Sequence, residues 1–266
     1  CMVENFLEGP VIGVAFDGTG YGTDGAVWGG EFLVADYEGF SRVGHLAYAP
    51  LPGGDLAVRR PYRMALSYLH AAFGAEGLGL PLPLLARVPP DELGVVRRQV
   101  TSGLNSPSTS SVGRLFDGVS ALLDVRDAVN YEGQAAVELE MLADERCDEA
   151  YEWPFADRGE ALTLDPAPLI RQIVADRLAG VPRPTIAARF HNAVASAVTA
   201  GCVEIRARTG LARVCLSGGV FQNAYLLSRA LDSLTRAGFA VYTHRLVPPN
   251  DGGIALGQAA VASQRQ

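Results

Sequence analysis

The first regular feature of the chain is a short apolar run, Val11-Ile12-Gly13-Val14-Ala15-Phe16, that stops at Asp17. A β-branched run of this length, closed by glycine-rich sequence, reads as a buried strand. A loop with four glycines, residues 17–25, is predicted next. Residues 26–35 and 40–48 then alternate in the manner of strands, with a hairpin turn at Asp36-Tyr37-Glu38-Gly39. Beyond Pro50 the period changes. Residues 64–73, 117–123, 134–143 and 168–178 carry helical spacing, and Pro- and Gly-rich connectors separate them. The last third predicts a helix over 185–208, a strand over 213–216 and a helix over 222–237. A strand over 239–242 and a helix from Ile254 to about 263 complete it.

With residues 51–184 set aside as a mainly helical insertion, the order is β-β-β-α-β-α-β-α. A three-stranded meander followed by alternating helices and strands implies an antiparallel part joined to parallel crossovers. That order resembles the α/β, RNase H-like lobe of the actin, Hsp70 and sugar-kinase superfamily. The expected organisation is one lobe over 1–266, its core formed by 1–50 and 185–266.

Composition narrows the function classes. The net charge is −7 over 266 residues, and the basic residues are scattered arginines, so a nucleic-acid partner is not expected. Cys1, Cys147, Cys202 and Cys215 show no C-x-x-C spacing and read as free thiols without a catalytic role. No apolar run reaches the roughly 18 residues of a membrane span, and no secretory leader is visible. The expectation is a soluble cytoplasmic protein without a membrane partner. The chain starts at Cys1 and soon enters a strand, as a fragment of a longer protein would.

Three segments can carry chemistry. In the first, Asp17 stands at a strand end beside the glycines of 18–25. Backbone amides freed by glycine can form an anion nest, and the carboxylate can hold a divalent metal beside it. The alternative is a hairpin loop in which Asp17 and Asp24 make turn hydrogen bonds. The second segment, Ser217-Gly218-Gly219-Val220-Phe221-Gln222-Asn223, joins a strand to a helix. Its amides suit a phosphate or a nucleotide edge, although it is neither a Walker loop nor a G-x-G-x-x-G motif. A plain tight turn is the alternative. In the third, Asp251 precedes Gly252-Gly253 where a helix N-cap belongs. It is either that cap or a metal ligand at a cleft mouth. His45, His70, His191 and His244 form no i,i+4 pair, and His191 reads as structural. The acidic stretch 144–157 reads as solvated surface.

Taken together and in this order, the segments resemble HypF-type carbamoyltransferases. The resemblance rests on residues 9–25, Trp28-Gly29-Gly30-Glu31-Phe32, Leu51-Pro52-Gly53-Gly54-Asp55, Pro61-Tyr62-Arg63-Met64-Ala65, residues 216–223 and residues 248–258. It implies an enzyme that makes carbamoyl adenylate from carbamoyl phosphate and ATP. The carbamoyl group then passes to the C-terminal cysteine of HypE, in [NiFe]-hydrogenase maturation. It implies a divalent metal, zinc, iron or magnesium, held by Asp17, Asp251 and two histidines of a His-x-x-x-His motif that would lie just before Cys1. It places Gly18, Thr19, Gly20, Tyr21, Asp117, Gly133, Gly218, Gly219 and Asn223 against the nucleotide. With half of the metal site and without the adenylate-forming domain, this chain is not expected to turn over alone. An O-carbamoyltransferase of antibiotic biosynthesis, a sugar kinase or Hsp70-like ATPase, and a lobe that only docks HypE are the alternatives.

Overall fold

The computed structural model describes residues 1–156 and 161–264. The first elements are β1 (Val11–Tyr21), β2 (Val27–Ala35), β3 (Phe40–Leu46), β4 (Ala49–Pro50), α1 (Asp55–Arg59) and α2 (Tyr62–Phe73). They are followed by α3 (Pro83–Arg87), α4 (Pro90–Ser102), β5 (Ser108–Thr109), α5 (Val112–Leu122) and α6 (Gln134–Leu142). Then come β6 (Phe155–Ala156), β7 (Leu162–Leu164), α7 (Pro166–Leu178), α8 (Arg183–Thr209) and β8 (Arg213–Ser217). The chain closes with α9 (Ala224–Arg236), β9 (Ala240–Tyr242) and α10 (Ile254–Gln264).

All strands among the described residues join one sheet, in the order β6-β7-β3-β2-β1-β8-β9, with β5 paired to β2 and β4 paired to β5. β1, β2 and β3 pair antiparallel, while β1–β8 and β8–β9 pair parallel. This is the RNase H-like arrangement the element order predicts. The segment 51–184 does more than hang helices on that core. Its β7 pairs parallel with β3, and β5 pairs with β2, so it widens the sheet.

Side-chain alternation decides which face is filled. Ile12, Val14, Phe16 and Phe32 point to one side, where α5 and α8 cover them. Phe16 and Phe32 meet edge to face at 5.6 Å. Helix α5 is buried along its whole length, and its cap explains its early start: Ser111 Oγ accepts the Arg114 amide at 3.1 Å. The predicted start at 117 came too late because Val112-Gly113 reads as connector. On the opposite face a small cluster of Leu7, Val11 and Cys215 is buried under the turn formed by residues 1–7. No helix among the described residues is long and apolar enough to cross a membrane. The four cysteines are free, and burial pushes Cys202 up to about 12 and Cys215 up to about 11.

The acidic stretch 144–156 is tied down more than its composition suggests. Arg229 pairs with Asp148 at 2.6 Å, Arg189 pairs with Glu149, and Asn192 Nδ2 donates to the Cys147 carbonyl at 2.9 Å. Asp157, at the end of that stretch, lies outside the described residues.

Gly201 shows how tightly α8 sits on the sheet: a Cβ there would lie 2.6 Å from the Phe32 ring and 2.9 Å from Phe155. Gly201→Val should destabilise the chain by about 2 kcal/mol through overpacking, read as a lower midpoint in urea unfolding.

Candidate active site

The chemistry gathers at the carboxyl ends of β1 and β8. Phe16 pairs with Gly30 and Gly20 with Trp28, so three residues of β1 stand opposite one of β2. A bulge of this kind re-aims side chains, and here it turns out Asp17, Gly18 and Thr19. The loop expected from residue 17 is therefore shorter. β1 resumes at Gly20–Tyr21, and the hairpin turn lies at 22–25. Asp24 makes the turn hydrogen bonds, accepting from the Ala26 amide at 3.1 Å and Trp28 Nε1 at 2.9 Å. The first amide of the expected nest, Gly18 N, is already committed to Asp17 Oδ1 at 2.7 Å.

Gly218 and Gly219 form the floor. Gly218 has φ +98°, its amide donates to the Pro249 carbonyl at 2.9 Å, and a Cβ would lie 2.1 Å from the Phe16 carbonyl oxygen. A Cβ on Gly219 would lie 3.0 Å from Asp17 Oδ1. Only glycine fits such contacts. At the third segment, Asn250 takes the capping role offered to Asp251: its Oδ1 accepts the Gly252 amide at 3.1 Å. Asp251 is thereby left exposed at the cavity mouth.

Three cavities adjoin here. One of about 350 Å³ lies against the open sheet face and is lined by Asp17, Gly20, Tyr21, Gly218 and Asp251. A second, of about 230 Å³, shares Asp17, Asn250 and Asp251 with it and adds Gly18, Asp117, Gly133 and Gly219. A third, of about 140 Å³, continues past Gly133 and Gly219 to Asn223. Thr19 is exposed and lines none of the three. The Asn223 side chain faces inward to the protein: Oδ1 caps α9 through the Leu226 amide at 2.7 Å, and Nδ2 donates to His191 Nε2 at 3.0 Å. His191 is fully buried, is lowered to about 4 by that burial, and donates from Nδ1 to the Ala187 carbonyl at 2.7 Å. It braces the fold.

Charge is concentrated at this point. Burial raises Asp17 above the usual carboxylate range, the Gly18 and Gly219 amides oppose it, and Asp251 and Glu132 add to it. Asp117 is pushed up to about 6 by burial, against the pull of Arg114 at 3.0 Å. Arg114 was missed in the sequence. Its guanidinium is almost completely buried beside Gly18, lines the second cavity, faces Asp117 through Nη1 and leaves Nε without a hydrogen-bond partner. The signal was present as an Arg-x-x-Asp pair inside an otherwise apolar helix. Among the described residues no three His, Cys, Asp or Glu side chains group as a complete metal site. Asp17 and Asp251 both line the two larger cavities, and their carboxylates could supply two oxygen ligands to a hard divalent ion whose shell other groups would complete.

Residues 13–258 match the family described as carbamoyltransferase, Kae1-like domain, second subdomain. The chain belongs to that family. It is 38% identical to carbamoyltransferase HypF2 of Cupriavidus necator, covering 99% of this chain and 35% of the relative. A HypF homolog of the same organism is 36% identical, with 99% and 68% covered. Among solved structures, a full-length HypF in the phosphate- and nucleotide-bound form superimposes with TM-score 0.93 at 44% identity, covering 99% of this chain and 41% of that one. The T. kodakarensis HypF gives TM-score 0.86 at 33% identity, covering 99% and 35%. The chain thus spans between about a third and two fifths of the length of three of these four relatives.

Two outcomes follow for this family member. Gly218→Ala should cost about 2 kcal/mol or more in urea unfolding, because positive φ and the Phe16 contact both penalise a side chain. Asp117 binds a proton in the folded state between its ordinary pKa near 3.9 and about 6, so its stabilising contribution fades as pH rises through that window. Unfolding curves from pH 4 to 7 should therefore lose part of their pH slope in Asp117→Asn.

Proposed function

We propose that this chain is the acceptor-facing lobe of a carbamoyltransferase. The intact protein makes carbamoyl adenylate from carbamoyl phosphate and ATP and transfers the carbamoyl group to the C-terminal cysteine of HypE, in [NiFe]-hydrogenase maturation. One observation carries the reading: Asp17 and Asp251, far apart in sequence, line the same two cavities around the Gly218-Gly219 turn. The similarity to a HypF solved with phosphate and nucleotide supports the same placement.

In this reading the nucleotide lies across Gly133 and Gly219, where missing side chains let it approach the backbone. Arg114 lines the wall of that cavity with Nη2 beside Gly18, in a buried setting where a charged hydrogen bond to a phosphate is strong. Asp117 fixes Arg114 through their 3.0 Å ion pair. A divalent ion on Asp17 and Asp251 would supply Lewis acidity toward the carbamoyl oxygen or the phosphate. The Gly18 and Gly219 amides hold the Asp17 carboxylate in its orientation.

In the intact protein, Asp251→Ala should lower carbamoylation of HypE by roughly 100-fold and lower bound divalent metal in parallel, since a lost ligand disorders the rest. Wild-type transfer at wild-type metal content in that variant sinks the role of Asp251.

A further inference from the structure

The open sheet face holds a second polar array that the nucleotide reading leaves unused. Ser217 ends β8 and lines the same cavity of about 350 Å³ as Asp17 and Asp251, as does His244. Ser217 Oγ lies 2.9 Å from His244 Nε2, and His244 Nδ1 lies 3.2 Å from Glu4 Oε1. Glu4 accepts the amides of Arg245 at 2.9 Å, Leu246 at 2.7 Å and Val247 at 3.4 Å. The Leu246 and Arg245 amides foremost hold its carboxyl down at about 2. An ionised acceptor at Nδ1 fixes the tautomer: Nδ1–H donates to Glu4, and the bare Nε2 accepts the Ser217 hydroxyl hydrogen. The side chains of His244 and Glu4 are only 9% and 3% exposed, so water competes little for these bonds.

A base oriented by a carboxylate and aimed at a hydroxyl in a cavity is the geometry of an activated proton acceptor. A simple brace for the first residues would not require it. Asn5 Nδ2 already ties that turn to the Thr243 carbonyl at 3.0 Å, and the amides of 245–247 already hold Glu4. Among the described residues no other histidine lines a cavity shared by Asp17 and Asp251.

We infer that Ser217, His244 and Glu4 form a relay that removes the proton from the nucleophile attacking the carbamoyl carbon. The inference rests on the carbamoyl-transfer reading above. The acceptor sulfur forms a bond to the carbamoyl carbon, and the bond from that carbon to the adenylate phosphate oxygen breaks. AMP leaves with that electron pair. The thiol proton passes to Ser217 Oγ as the proton of Ser217 passes to His244 Nε2. Glu4 faces the resulting imidazolium, which then releases the proton to water. Nothing is oxidised or reduced.

The test is single-turnover transfer in the intact protein, with ATP, carbamoyl phosphate and HypE. His244→Gly and Ser217→Ala should each slow transfer by roughly 100-fold, a usual contribution of a positioned base. Added imidazole should recover about tenfold or more of the rate in His244→Gly, since it replaces the missing base, and none in Ser217→Ala. His244→Gln, which keeps a group of similar size at that position, should be as slow as His244→Gly while melting like wild type. Wild-type rates in these variants, or a loss in His244→Gly that imidazole leaves in place, overturn the relay. A wild-type protein that modifies no HypE cysteine overturns instead the transfer reading on which the relay stands.

Discussion

Three separate parts of the chain press onto one short piece of backbone, Phe16-Asp17-Gly18, and the site depends on that approach. A Cβ on Gly218 would lie 2.1 Å from the Phe16 carbonyl oxygen, one on Gly29 2.4 Å from the Asp17 carbonyl oxygen, and one on Gly113 2.8 Å from Gly18 Cα. Each glycine comes from a different element: the turn after β8, the strand β2 and the helix α5. Ser111 Oγ then donates to the Asp17 carbonyl at 2.6 Å and locks the helix to the bulge. Close packing without side chains brings amides, a buried arginine and carboxylates within reach of one another.

The electrostatics follow from that crowding. Asp17 is half-buried with Asp251 and Glu132 nearby, so it holds its proton more tightly than an isolated carboxylate. The Gly18 and Gly219 amides partly compensate. On the other side of Gly18, Arg114 brings a positive charge that Asp117 balances only through one contact. In the proposed reading, carboxylates on one side and a guanidinium on the other would suit a phosphorylated ligand bound beside a cation.

The two faces of the sheet divide the labour. One is packed with aromatic and branched side chains under α5 and α8 and gives the strands a rigid platform. The other is open, and the cavity over it is lined by Asp17, Ser217 and His244, with Glu4 bonded to the far ring nitrogen of His244. Large apolar side chains near its rim stay exposed, including Tyr21 at 94% and Leu246 at 89%. Rigid support below leaves the open face accessible to a ligand.

Much of this was legible in the residues. Strand and helix periods fix the order of the core because burial on one face imposes a period of two or of 3.6 on the chain. The glycines of 18–22 and 218–219 marked the carboxyl ends of β1 and β8, where backbone comes into close contact. Local sequence could not separate Asn250 from Asp251 as the helix cap, because both residue types satisfy the same amide. Nor could it show that Thr19 faces away, that Asn223 turns inward to His191, or that Arg114 is buried. Those outcomes depend on which surfaces meet when distant segments fold together. Glu4 and His244 stand 240 residues apart, and no pattern along the chain relates them. The sequence by itself determined the lobe and the three segments in which candidate residues stand. The tertiary structure decided which of them share a cavity, because only packing sets the distances on which charge and proton transfer depend.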